Sequence, residues 1–168
     1  MLSCAANKQV KSSVSDQAGE PSLPLIMIVE DHDDTRMMYR FVLEARNYRV
    51  AEATNGEEAV SLAERLRPNL IVMDSNLPLM DGLMVTRYLR EHFEGERIPI
   101  VFLSGDAHPQ LRNAALNAGG DEYLVKPVEL DTFAAVIARL LRPAADAPAA
   151  ISRVEHEPRS PLRGERST

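Results

Sequence analysis

Five short apolar runs alternate with five longer segments of helical periodicity, and this alternation limits the folds open to the chain. The apolar runs span residues 25–29, 50–53, 70–73, 100–103 and 123–125. The helical segments span residues 35–46, 56–67, 83–90, 110–118 and 130–141. Several runs are too continuous for a strand with one solvent-facing side, so we predict strands that are buried on both faces. Five β-α repeats of this kind predict an α/β fold, a parallel sheet with helices on both sides.

The aromatic residues predict one folded domain between two tails. All four Tyr and all four Phe fall between residues 24 and 142, and aromatic side chains dominate the burial that folds a core. Residues 1–23 are rich in Ser, Ala, Gln and Lys, and residues 143–168 carry Pro and scattered Arg and Glu. Such compositions cannot repay the entropy of ordering. We therefore predict a domain at residues 24–142 and flexible tails at residues 1–23 and 143–168.

Composition argues against several classes of protein. The apolar runs are far shorter than the roughly 20 residues that a membrane-spanning helix needs. Lys and Arg number 19 against 25 Asp and Glu, and the net charge of -6 repels nucleic acid. Cys4 is the single cysteine, and no basic start or apolar stretch precedes it to make a signal peptide. We expect a cytoplasmic protein that binds neither membrane nor nucleic acid.

Polar side chains follow four of the five predicted strands, where the carboxyl ends of a parallel sheet bind ligands. These segments are Glu30-Asp31, Asp74-Ser75-Asn76, Ser104-Gly105-Asp106 and Lys126-Pro127. If the strand order is 2-1-3-4-5, strands one and three are neighbours about 4.8 Å apart. Glu30, Asp31 and Asp74 would then crowd together. A hard divalent cation, Mg²⁺ above all, would offset their mutual repulsion.

Ser104 and Lys126 suit a phosphate near these carboxylates. Lys126 is the only lysine of residues 24–142, where the other twelve basic residues are arginines, which indicates a need for a compact point charge. Its long side chain can cross about two strand spacings of about 4.8 Å to reach Asp74, and Pro127 would aim it inward through a cis peptide. Together the groups describe phosphoryl transfer to Asp74, with Mg²⁺ and Lys126 neutralising phosphoryl oxygens and Ser104 donating a hydrogen bond.

Other polar residues are assigned simpler positions. The four histidines have no ligand spacing among them, so we predict that all four are exposed to solvent. Asp33 and Asp34 are predicted to lie in a solvated loop, with Asp34 capping the helix that follows. Asp106, Asp121 and Glu122 are also assigned to loops.

Four motifs, in their order and spacing, resemble the receiver domain of bacterial two-component response regulators. The motifs are Val29-Glu30-Asp31, Met73-Asp74-Ser75-Asn76-Leu77-Pro78-Leu79-Met80-Asp81-Gly82, Ser104-Gly105 and Lys126-Pro127. The resemblance covers about residues 24–142 and implies a flavodoxin-like (βα)₅ fold with a doubly wound sheet. It also implies that a histidine kinase or a histidine phosphotransfer protein phosphorylates Asp74.

The same resemblance implies a role for each site residue. Mg²⁺ would be bound by Asp31, Asp74 and the backbone carbonyl of Asn76, with Glu30 assisting through water. Lys126 would be the phosphate-binding lysine. The switch pair would be Ser104 and Tyr123, with Tyr123 moving inward when Ser104 engages the phosphoryl group. Glu30 stands where the family often has Asp, and Ser104 where Thr is the alternative.

The segment after residue 142 bears on the output of the protein. Its 26 Pro- and Arg-containing residues are too few for a DNA-binding or enzymatic domain. We therefore expect a stand-alone receiver that acts by contact with a downstream protein. The expected contact face comprises the fourth helix, the fifth strand and the fifth helix, and phosphorylation of Asp74 would switch it.

Three alternatives compete with this interpretation. A phosphoryl relay or sink without an output of its own stays open. An Asp-nucleophile phosphatase of the haloacid dehalogenase type wants a second carboxylate two positions after the nucleophile, where this chain has Asn76. A flavin or nucleotide module would need a phosphate-binding loop, and neither G-x-G-x-x-G nor G-x-x-x-x-G-K-[ST] occurs. We therefore expect a signalling protein rather than an enzyme.

Overall fold

The computed structural model describes residues 23–78, 80–93 and 97–142. Apart from Leu23, the two predicted tails lie outside the described residues. The strands are β1 (Leu25–Val29), β2 (Arg49–Ala53), β3 (Leu70–Asp74), β4 (Ile100–Ser104) and β5 (Glu122–Val125). The helices are α1 (Asp33–Glu44), α2 (Gly56–Leu66), α3 (Gly82–His92), α4 (Pro109–Asn117) and α5 (Leu130–Leu140). Every predicted strand and helix is present, with ends that differ from the prediction by at most two residues.

The five strands form one parallel sheet in the order β2-β1-β3-β4-β5, so the predicted fold class and strand order are confirmed. The register pairs Val29 with Met73 and Asp74 with Leu103. It also pairs Ser104 with Val125 at the end of β5. The carboxyl ends of β1, β3, β4 and β5 therefore lie along one edge of the sheet, which is the edge where the candidate site residues follow.

The sheet separates two apolar cores because alternate residues of a strand point to opposite faces. On one face, Met27, Ile71 and their neighbours pack against α2, α3 and α4. On the other face, Ile26, Val72 and their neighbours pack against α1 and α5. Burial on both faces is confirmed for the central strands β1, β3 and β4, whereas the edge strands β2 and β5 are partly exposed.

Two helix starts differ in how they are capped. Asn55 caps α2, because its Oδ1 accepts a hydrogen bond of 2.9 Å from the Glu58 amide. At α1 the N-cap residue is His32, without a side-chain capping bond, so the prediction that Asp34 caps this helix is wrong. The helix begins two residues earlier than predicted, and Asp33 and Asp34 occupy its first turn. There the carboxylates interact favourably with the positive end of the helix dipole.

Arg90 on α3 connects that helix to the link between α4 and β5. Its Nη2 donates to the Gly119 carbonyl at 2.7 Å and to Asp121 Oδ2 at 3.0 Å, and its Nη1 donates to the Ile98 carbonyl at 2.9 Å. Asp121 therefore lies in a loop, as predicted, but as a partner of Arg90. Glu122 begins β5, so its assignment to a loop is wrong.

The start of α3 lies directly against the end of β3. We therefore expect one methyl group added at this contact to destabilise the fold. A Cβ at Gly82 would lie 2.6 Å from the Asp74 carbonyl oxygen, which is backbone and cannot move aside. We expect Gly82→Ala to lower the free energy of unfolding by about 1–3 kcal/mol, the usual cost of overpacking. Gly105→Ala is the matched control, since a Cβ there meets nothing within 4 Å. Urea unfolding of both variants measures the difference, and equal stabilities would contradict the prediction.

Among residues 23–78, 80–93 and 97–142, no helix combines the length and the apolar character needed to cross a bilayer.

Candidate functional site

Lys126 is the centre of the charged cluster at the carboxyl edge of the sheet. Its Nζ donates to Asp74 Oδ2 at 2.6 Å and to Glu30 Oε2 at 2.7 Å. The structure therefore brings together residues that follow or end three different strands, β1, β3 and β5. The peptide bond between Lys126 and Pro127 is cis.

Both carboxylates in this contact are removed from solvent. Glu30 is 1% exposed and Asp74 is 6% exposed. Burial raises the pKa of Glu30, as does the charge of Asp74, and the hydrogen bond from Lys126 only partly offsets this, so the Glu30 pKa lies above its usual value. Burial acts to lower the pKa of Lys126, but the hydrogen bonds and charges of Asp74 and Glu30 outweigh it, so the Lys126 pKa is raised. The lysine is therefore a fixed positive charge in the site.

The second oxygen of Asp74 faces the loop that follows β3. Its Oδ1 accepts a hydrogen bond of 2.8 Å from the amide of Asn76. This bond fixes the rotation of the carboxylate, so that Oδ2 is directed toward Lys126. The loop conformation also brings Asn76 close to Asp74, as required of a residue whose carbonyl is predicted to bind the same ion.

Asp31 lies beside Glu30 but is more exposed. Its Oδ1 lies 2.8 Å from Nδ1 of His32, and one ligand atom each of Glu30, Asp31 and His32 lie within 4.8 Å of one another. Glu30 and Asp31 supply carboxylate oxygens, the ligands that Mg²⁺ prefers, and Asp74, which is not in this group of three, shares Lys126 with Glu30. The residues present therefore fit a hard divalent cation.

His32 is exposed, as predicted, but it is not isolated from the site. The hydrogen bond to Asp31 raises the pKa of His32, and the charge of Asp31 and the contact with Glu30 act in the same direction. Spacing among the four histidines gives no sign of this contact between His32 and Asp31. The position of His32 directly after Glu30-Asp31 is the signal that would have found it.

Ser104 and Tyr123 are connected through the backbone of Asp106. Ser104 Oγ accepts a hydrogen bond of 3.1 Å from the Asp106 amide, and the Tyr123 hydroxyl donates to the Asp106 carbonyl at 2.7 Å. Tyr123 is 6% exposed, so its ring lies inward in this structure. The link was missed because it uses main-chain groups, which any residue supplies.

A cleft of about 530 Å³ lies beside these residues. Polar groups of Asn76, Ser104 and Asp106 line it, together with apolar side chains such as Leu111 and the ring of Tyr123. The cleft thus borders both the loop after Asp74 and the link between Ser104 and Tyr123.

Comparison with known proteins decides which family has this arrangement. Residues 26–138 match the sequence profile of the response regulator receiver domain. The chain belongs to the response regulator receiver family. The resemblance drawn from the four motifs is thereby confirmed, and with it a role in signalling of the two-component type.

Relatives of this receiver include small proteins. An uncharacterized 14.6 kDa protein of Leptolyngbya boryana is 42% identical over 104 residues, which cover 62% of this chain and 79% of that protein. The polar-differentiation response regulator DivK of Brucella anthropi is 34% identical over 108 residues, covering 64% of this chain and 88% of DivK. The chain spans only 53% of another relative, the phosphate regulon transcriptional regulatory protein PhoB of Rhizobium meliloti, at 37% identity.

Solved receiver structures share the fold. The receiver domain of the sensor histidine kinase PA1611 from Pseudomonas aeruginosa has a TM-score of 0.66 and 34% identity. The match covers 71% of this chain and 98% of that domain, whose structure holds a magnesium ion coordinated in the active site cleft.

Proposed function

We propose that this receiver accepts a phosphoryl group on Asp74 from a phosphohistidine protein, with Mg²⁺ as cofactor. The carrying observation is the contact of Lys126 Nζ with buried Asp74 and Glu30. A nucleophilic carboxylate with a cation at one oxygen is suited to accept a phosphoryl group, whose negative oxygens need neutralising as the bond forms.

The reaction proposed for Asp74 is a direct transfer. A carboxylate oxygen forms a bond to phosphorus while the bond between phosphorus and the donor imidazole nitrogen breaks, and the electron pair stays on nitrogen. Lys126 stays at hydrogen-bond distance from the acceptor carboxylate and faces the arriving oxygens. A Mg²⁺ ion held by Asp31, Asp74 and the Asn76 carbonyl, with Glu30 through water, would supply further charge neutralisation.

The proposed switch rests on the connection through Asp106. A phosphoryl oxygen on Asp74 would accept a hydrogen bond from the Ser104 hydroxyl, and turning that side chain toward the phosphoryl group would alter the bond that Ser104 Oγ accepts from the Asp106 amide. A change in the Asp106 loop would then reach Tyr123, whose hydroxyl is bound to the Asp106 carbonyl. Tyr123 lies on β5, so the output proposed for this switch is the protein-binding face of α4, β5 and α5.

The proposed donor is a protein because α1 presents an apolar surface beside the site. Met37, Met38 and Phe41 are 52%, 42% and 70% exposed, respectively. Their helix begins at Asp33, directly after the acidic loop, which is residues 30–32 between β1 and α1. A protein donor must cover the rim of the site to bring its phosphohistidine to Asp74, and exposed apolar side chains on the helix that begins at this rim favour such an association. A histidine kinase or a histidine phosphotransfer protein in the cytoplasm fits this role.

Intact mass after incubation with acetyl phosphate tests the proposed chemistry. We expect wild-type protein to gain the mass of one phosphoryl group with Mg²⁺ and almost none with EDTA in its place. Asp74→Asn keeps the shape of the side chain but removes the nucleophile, so we expect no gain under either condition. A gain in Asp74→Asn equal to that of the wild type would assign the acceptor to another residue and overturn the proposal.

A further inference from the structure

Arg36 on α1 contacts the backbone of the acidic loop. It is separate from the charged cluster of Lys126 with the Glu30 and Asp74 carboxylates. Its side chain is 14% exposed. Its Nη1 donates to the carbonyl of Glu30 at 2.8 Å and lies 3.5 Å from the carbonyl of Asp31. These two carbonyls belong to the residues whose side chains face the candidate cation site.

The other side of the same guanidinium is anchored by carboxylates. Its Nη2 contacts Asp33 in the first turn of α1, and its Nε lies 3.5 Å from Oε1 of Glu52. Glu52 lies on β2, whose ladder with β1 pairs it with Ile28. A planar guanidinium with five donors can hold all of these groups at once in a fixed geometry. The acidic loop is therefore fastened to both α1 and β2.

We propose that Arg36 is a positioning residue for divalent-cation binding, because it fixes the backbone that carries the Glu30 and Asp31 carboxylates. This inference rests on the proposed function, since it assumes a cation at these carboxylates. Ligands that are held in place before the ion arrives lose less conformational freedom on binding, and groups that orient metal ligands typically change affinity by about 10-fold to 100-fold.

The charge of Arg36 gives this inference a sign that can be checked. A positive guanidinium near the site repels a divalent cation, so an arginine that acted through its charge alone would weaken binding. Its removal would then tighten Mg²⁺ binding. If positioning dominates, removal weakens Mg²⁺ binding in spite of the lost repulsion.

Calorimetric titration with MgCl₂ measures this effect on the full chain. For Arg36→Ala we expect the Kd for Mg²⁺ to rise on the order of 10-fold relative to the wild type. Arg40→Ala is the matched control. Arg40 also pairs with Glu52, at 3.2 Å, but its side chain is 40% exposed, and an exposed ion pair contributes little. We expect its Kd to stay within about 2-fold of the wild type.

Arg36→Lys separates charge from geometry. It keeps the positive charge, but a single ammonium cannot reproduce the fork that joins the loop carbonyls to two carboxylates. We expect its Kd to lie nearer that of Arg36→Ala than that of the wild type. Thermal unfolding in EDTA shows whether each variant is folded, and if Arg36→Ala is not, Arg36→Lys carries the test with the same expected loss.

A second readout separates positioning from general damage to the site. In the acetyl phosphate reaction, Arg36→Ala should need more Mg²⁺ for half-maximal phosphorylation, while its rate at saturating Mg²⁺ stays near that of the wild type. Wild-type protein that binds no Mg²⁺ would overturn the proposed function together with this inference. Wild-type protein that binds Mg²⁺, with Arg36→Ala binding it equally or more tightly, would overturn the inference alone.

Discussion

Lys126→Met is expected to lower the free energy of unfolding by about 3–5 kcal/mol at pH 7, the usual cost of removing one partner from a buried ion pair. Methionine keeps the unbranched shape of the side chain but leaves buried Glu30 and Asp74 without the ammonium that contacts both. Urea unfolding of metal-free protein measures the loss. Arg112→Met is the control, because the Arg112 side chain is 56% exposed and its contact with Glu122 is long, at 3.9 Å, so it contributes little.

The loss should depend on pH in a direction that follows from the pKa values. The pKa of Glu30 is raised by burial, while the hydrogen bond from Lys126 acts to lower it, so the Glu30 pKa rises further without Lys126. A folded-state carboxyl pKa above the unfolded value costs no stability at acid pH and an increasing amount as pH rises toward the folded value. The difference between wild type and Lys126→Met should therefore be small near pH 4.5 and grow toward neutral pH.

At alkaline pH the wild type should lose the same contact. Because the pKa of Lys126 is raised, its stabilising contribution is fully present below the usual lysine value of 10.5 and is lost only as pH rises through the folded value. A variant whose stability ran parallel to that of the wild type from acid to neutral pH would contradict this account of the bridge.

Phe41→Ala is expected to slow phosphoryl transfer from a protein donor by about 10-fold or more at limiting donor, since we expect this large exposed ring to anchor the contact, and truncation of an anchor residue costs about 2 kcal/mol or more of association. The ring is 70% exposed, so its removal leaves the two cores of the domain intact. The donor is a phosphorylated histidine kinase or phosphotransfer protein chosen because it phosphorylates the wild type. Transfer is followed by loss of phosphate from the donor.

Two controls separate docking from chemistry in this experiment. Acetyl phosphate needs no docking surface, so Phe41→Ala should accept phosphate from it at the wild-type rate. Leu66→Ala removes an apolar side chain that is 38% exposed at the C-terminal end of α2, shortly before β3 begins at Leu70 and therefore at the opposite end of that strand from Asp74. It should leave both reactions unchanged. Equal transfer from the protein donor to wild type and Phe41→Ala would remove α1 from the proposed docking surface.

The fold could be predicted because its signals are local. Neighbouring residues alone form the continuous apolar runs of β1, β3 and β4 and the helical spacing between them. The elements and their order could therefore be predicted. The site could be located because parallel strands bring their carboxyl ends to one edge. The edge strands β2 and β5 were also predicted, to within one residue at each end, although both are partly exposed.

The contact of Lys126 with Asp74 was predicted from the sequence, but other long-range contacts and those made through main-chain groups were not. Arg90 and Asp121 lie 31 residues apart, and nothing in either local pattern pairs them. The link from Ser104 to Tyr123 runs through the amide and carbonyl of Asp106, which carry no residue-specific signal. The role of Arg36 is hidden for the same reason, because its direct partners in the acidic loop are carbonyl oxygens.

The contact between Lys126 and the two carboxylates also spans the sheet from its edge to its middle. The backbone ladder joins β5 to β4, while the side chain of Lys126, just after β5, reaches Asp74 on β3 and Glu30 after β1. The Lys126 ammonium thus connects residues across four adjacent strands, β1, β3, β4 and β5. A ligand that drew Lys126 away from both carboxylates would leave β5 attached by its hydrogen bonds to β4 and by helix packing. Ligand binding at the site and the attachment of the outermost strand to the sheet are therefore coupled.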